Sequence, residues 1–106
     1  MLALDRFYEV HDGHGRHWGQ VCLMWPYKDS QSGRLMPAAG YGPVRALFRR
    51  HAQLLADPAS GDEADFADTS RQIAALDVVL RDPATGEEHA VGPVFVSEEL
   101  LFSCSF

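Results

Sequence analysis

The chain has 106 residues, 46% hydrophobic and 23% charged, with a formal net charge of −6. These are the proportions of one ordinary globular domain; a disordered chain holds fewer apolar residues and more charge. The acidic balance excludes broad binding to nucleic acid or to anionic membrane, because both need a net basic face.

No apolar run approaches the ~20 residues of a membrane span. The opening Met1–Arg6 stretch has no basic segment followed by a long apolar one, so no signal peptide is expected and the cytoplasm is the simplest compartment. Cys22 and Cys104 fall in strand-like runs and read as buried free thiols, with a disulfide between the first hairpin and the last strand as the alternative.

Taken in chain order, Phe7 to Pro26 reads as a β-hairpin around Asp12-Gly13. Leu2, Leu4, Tyr8 and Val10 share one face of the first strand, and Val21, Leu23 and Trp25 share one face of the second. A two-residue turn pairs Glu9 with Arg16, Phe7 with Trp18 and Leu4 with Val21; a four-residue loop, Asp12 to Gly15, is the rival register. Pro26 to Gly42 reads as a long Gly/Pro/Ser-rich loop, with room for a short third strand about Asp29–Gly33.

Gly42-Pro43 opens a helix in which Val44, Leu47, Phe48, His51 and Leu55 recur at helical spacing, and Asp57-Pro58 closes it. Residues 57–70 read as an acidic loop with one helical turn about Glu63–Ala67. The last third reads as a meander. Leu76, Val78 and Leu80 alternate, Asp82–Gly86 turns, Val91–Val96 returns, and Leu100, Phe102, Cys104 and Phe106 face inward. The predicted fold is a single α+β domain over 1–106: a twisted antiparallel sheet of five or six strands, ordered ββ-α-βββ, with one helix on one face.

Three groups of residues suggest chemistry. His11, His14 and His17 recur every third residue, and imidazoles suit zinc or another transition metal. In the two-residue-turn register His11 and His14 lie opposite each other while His17 points to the other face, so a regular hairpin offers a two-histidine site. The alternative is a solvated tip that binds nothing, with no cofactor. His51 reads as a packed histidine, and Arg34, Arg45, Arg49 and Arg50 as a solvated patch answered by the acidic loop.

The run Leu35 to Leu47, with its Gly40-Tyr41-Gly42 pair opening a helix, is similar to the acetyl-CoA loop of the GNAT acyltransferases, which implies phosphate held at a helix N-terminus. The similarity spans about a dozen residues. Ala38-Ala39 stand where that family has a basic or glutamine residue, and Pro43 removes a donor, so the run also reads simply as a Gly/Pro helix start.

The functional expectation is a small acidic non-enzymatic binding protein: an adaptor, inhibitor or accessory factor with a protein partner. Its contacts would come from loop 25–42, through Trp25, Tyr27 and Tyr41, or from loop 57–68, through Asp62, Glu63, Asp65 and Phe66. The alternative is a metal-binding protein or metal-dependent enzyme using the histidine tip. An exposed first or last strand would also allow a homodimer by sheet extension.

Overall fold

A computed structural model describes residues 2–57, 59 and 61–106. The chain is α+β with one antiparallel sheet, as expected, but the sheet has seven strands and there are two α-helices. In order these are β1 (Arg6–His11), β2 (His17–Tyr27), β3 (Ser30–Pro37), a 3₁₀ turn (Ala39–Tyr41), α1 (Gly42–Ala56), α2 (Glu63–Ala74), β4 (Val79–Arg81), β5 (Glu88–Ala90), β6 (Val94–Val96) and β7 (Leu101–Ser105). Laterally the strands run β5-β4-β1-β2-β3-β7-β6.

That order forces curvature. β5 and β6 occupy opposite edges, yet only Val91–Pro93 joins them. Four Cα steps reach ~14 Å at most, whereas six strand spacings in a flat sheet would set the edges ~29 Å apart. The sheet must therefore curl until its edges approach. The linker stitches both sides: Val91 N–H donates to Val78 O (3.4 Å) and Gly92 N–H to Ser105 O (2.7 Å). The expected single return strand over Val91–Val96 is accordingly split, with Gly92-Pro93 as the crossing.

Inside the curl, alternation does what the sequence suggests. Tyr8, Val10, Val21, Leu23, Leu35, Leu80 and Phe102 are all buried, while Phe7, Arg34, Met36 and Leu101 face out. Cys104 is buried and Cys22 half-buried; both are free thiols, so no disulfide joins the first hairpin to the last strand. Phe106, expected inside, is 43% exposed because β7 ends before it. α1 lays Phe48 edge-on against Trp18 and Phe95, with ring centroids 5.6 and 6.3 Å away. Leu54 rather than Leu55 is buried at its C-terminal end, and Pro58, read as the helix stop, lies outside the described residues.

Three expectations fail for identifiable reasons. The first hairpin adopts neither proposed register: residues 12–16 form a five-residue loop, and Glu9 pairs with Gln20, Phe7 with Cys22 and Tyr8 with Val21. The buried Asp12 carboxylate winds this loop, accepting from His14 N–H, Arg16 N–H, Arg16 Nε and Trp18 Nε1 at 2.8–3.1 Å. Second, Pro26–Gly42 is not a loop; β2 continues to Tyr27, turns at Lys28-Asp29, and returns as an eight-residue β3. Gly40 in the 3₁₀ turn sits where a Cβ would meet the His17 backbone, so this glycine serves packing.

Third, the acidic stretch is mostly helix. Asp62 caps α2 by accepting from Asp65 N–H while the Asp65 carboxylate accepts from Asp62 N–H, a reciprocal capping box. Nor does the chain offer its first or last strand as an edge. β1 lies between β4 and β2, β7 lies between β3 and β6, and the true edges are three-residue strands.

Candidate functional sites at the two ends of strand β2

Two bulges in β2 decide what it displays. Near its start, Val10 pairs with Gly19 but His11 pairs with His17, leaving Trp18 as an extra residue. Under strict alternation His17 would share the buried face of Gly19 and Val21. The bulge instead turns it onto the face that carries Glu9 and His11, opposite to the expected placement. Near the strand's end Leu23 pairs with Gly33 and Trp25 with Ser32, leaving Met24 as the extra residue. Trp25 therefore leaves the face of Leu23, where it was expected, and stands 49% exposed.

At the first end, one ligand atom from each of Glu9, His11 and His17 lies within 4.8 Å of the other two. His11 Nε2 is 3.2 Å from Glu9 Oε1, and the two imidazoles stack with centroids 4.7 Å apart at 19°. Glu9 and His11 are half-buried and His17 is exposed. His14, expected in this group, is displayed on the outer part of the loop, its N–H on Asp12. Glu9 was noted in the sequence only as a neighbour; its i, i+2 spacing from His11 on a strand is the signal that places both on one face. Arg81 sits opposite Glu9 on β4 as the nearest cross-strand cation.

Asp12 holds this end in shape. Burial acts to raise its carboxyl pKa, but the hydrogen bonds from Trp18, Arg16 and the loop N–H groups outweigh that and hold it below the ordinary value. Its acceptor capacity is committed to the loop, so it stands as a support for the cluster rather than a fourth ligand.

At the far end, Met24, Trp25 and Tyr27 are 46%, 49% and 68% exposed. Phe7 is 50% exposed on β1, and Phe106 lies beside the turn, its N–H on Asp29 O. Lys28 Nζ sits 5.3 Å from the Tyr27 ring centroid. Tyr41, grouped with Trp25 and Tyr27 in the sequence, does not join them: it is buried against Trp18 and Phe48. Its 3₁₀ turn folds back onto β2 instead of extending a loop.

The second predicted surface is largely committed elsewhere. Asp62 and Asp65 form the helix cap, and Phe66 stacks on His51 with centroids 4.9 Å apart. A cleft of about 730 Å³ opens between the end of α1 and the start of α2, lined by Leu54, Leu55, Gly61, Asp62, Glu63 and Phe66. Thr69 Oγ1 donates to Phe66 O, so the 2.8 Å bond between it and His51 Nδ1 has the histidine as donor. Burial lowers the His51 pKa. The arginines scatter: Arg49 pairs with Glu98 (3.0 Å), Arg50 approaches Asp65 (3.9 Å), Arg45 lies over the Tyr41 ring, and Arg34 is across the molecule on β3.

No protein-family model, curated protein or solved structure matches this chain. Among the described residues no helix is long and apolar enough to cross a membrane.

Proposed function

We propose that this chain is a protein-binding module whose contact surface is the β2–β3 hairpin end with the sheet face behind it. The observation that carries this reading is the exposure of Trp25 and Tyr27 beside Met24 and Phe7. Contiguous apolar exposure of this kind marks interaction sites on soluble domains, and tryptophan, tyrosine and methionine are enriched where partners meet. Covering the exposed area of Trp25 or Tyr27 would contribute about 3 kcal/mol each at ~25 cal/mol/Å², the scale of a binding hot spot. The net charge of −6 favours a protein partner with a basic rim, through faster encounter at low salt.

The test uses the purified chain as bait, with a Trp25→Ser/Tyr27→Ser double variant and an Asp62→Ala/Asp65→Ala variant beside it. A stoichiometric protein captured by wild type and by the acidic variant, and at least about tenfold less by the aromatic variant, is the expected result. Equal capture by wild type and the aromatic variant would overturn the reading. So would a concentration-dependent dimer of the chain alone that the aromatic variant abolishes, because the patch would then be a self-interface.

A further inference from the structure

We propose that Glu9, His11 and His17 form a binding site for a divalent first-row transition metal, using one carboxylate oxygen and two imidazole nitrogens. A metal held at ~2.0–2.2 Å by each ligand sets its ligands about 3–3.5 Å apart. The Glu9–His11 contact of 3.2 Å already has that spacing, and all three ligand atoms lie within 4.8 Å of one another. Side-chain torsions alone close the remaining ångström or so.

The backbone beneath is fixed before any metal arrives. His11 and His17 are cross-strand partners, Asp12 N–H donates to Arg16 O at 3.1 Å, and the loop between is wound on the Asp12 carboxylate. Trp18, the extra residue that turns His17 to this face, is fully buried with its Nε1 on Asp12 at 2.9 Å. An ordinary surface hydrogen bond between Glu9 and His11 requires none of this. The bulge and its buried anchor bring in the third donor.

The donor set selects the class of ion. Two imidazoles and one carboxylate suit zinc, nickel, copper or iron(II), whereas calcium takes six or more oxygens and magnesium keeps most of its water. Three protein ligands are one fewer than a closed structural zinc site has, and His17 is exposed, so the remaining positions face solvent. The site is open to water or to a donor atom of another molecule. It lies at the opposite end of β2 from Trp25 and Tyr27, and its existence is independent of the binding surface proposed above.

Untagged, chelator-stripped protein titrated with Zn²⁺ in a calorimeter, and with Co²⁺ by visible absorption, decides the matter. One metal per chain at micromolar affinity is expected. His17→Ala and Glu9→Gln should each weaken binding at least about tenfold, with His14→Ala within about twofold of wild type. Circular dichroism and thermal melts confirm that the variants fold, and His17→Gln serves should His17→Ala not. Substoichiometric binding, His17 variants that bind like wild type, or His14→Ala as damaging as His17→Ala would each overturn the proposal.

Discussion

Asp12→Ala should be the most destabilising single change in the first hairpin. The wild-type carboxylate is sealed from solvent at the side chain and accepts four hydrogen bonds. Removing it strands Trp18 Nε1–H, on a fully buried ring, and frees the His14 and Arg16 N–H groups. A buried donor left unpaired costs about 1–3 kcal/mol, while the Arg16 guanidinium, about a third exposed, can turn to water. The loop N–H groups add roughly another 1–2 kcal/mol, so the total is about 3–5 kcal/mol, a large share of the ~5–15 kcal/mol a domain of this size has. Asp12→Asn keeps an acceptor and should lose less. Urea unfolding followed by tryptophan fluorescence measures the difference from the midpoint and slope. The same carboxyl has a depressed native pKa, so its contribution is complete above the unfolded value near 4 and is lost as pH falls through the native value. Asp12→Asn should flatten that acid limb. An Asp12→Ala protein within about 0.5 kcal/mol of wild type would refute the reasoning, because the loop would then be holding itself.

Lys28 occupies the Lys28-Asp29 turn at φ 54°, where a side chain is strained, and Lys28→Gly should raise stability by about 0.5–1 kcal/mol in the same urea assay. Burial pushes the Cys104 thiol up to about 11, whereas Cys22 is half-buried; a thiol reagent at neutral pH should modify Cys22 first and Cys104 only in denaturant, as peptide mapping would show. Burial lowers the His51 pKa, so the native state prefers the neutral ring. That preference contributes fully above the unfolded value of about 6.5 and is lost as pH falls from there through the native pKa. His51→Gln should make stability less sensitive to pH in that window, by thermal melts from neutral to mildly acidic buffer.

The elements that were legible in the sequence are those whose signal is local. Pro43 at a helix start, the 3.6-residue recurrence of Val44 and Phe48, and the Asp82–Gly86 turn all depend on neighbouring residues, and all form. Lateral strand order depends on contacts far apart in sequence, which is why Val91–Val96 looked like a single returning strand rather than a crossing between two sheet edges. α2 could have been recognised: Asp62 and Asp65 have capping-box spacing, and Thr69 and Ile73 follow at i, i+4 on its buried side. The density of acidic residues hid it, because charge that neutralises a helix N-terminus has the same composition as charge in a solvated loop. At the candidate sites, the exposed aromatics and the metal-capable histidines were visible as residue types. Their membership was not, since Tyr41 drops out and Glu9 replaces His14 only once β2 has its true register.

The register itself explains why both candidate surfaces exist. β2 has eleven residues, ~33 Å of strand at ~3.3 Å each, in a molecule 44 Å along its longest axis. A strand that long in a strongly curled sheet cannot keep strict alternation without the twist mismatch building up along it, and bulges are where such strain is released. Each bulge here reverses the facing of the residues beyond it. One carries His17 from the buried side to the side of Glu9 and His11, and the other carries Trp25 from the side of Leu23 into solvent. Neither displacement helps the core: burying Trp25 would gain about 3 kcal/mol of apolar transfer, and leaving it exposed forgoes that. A sheet needing bulges only for curvature could place small polar residues at the reversed positions. That a tryptophan and a histidine stand there instead is the physical ground for reading the two ends of β2 as surfaces made to meet something else.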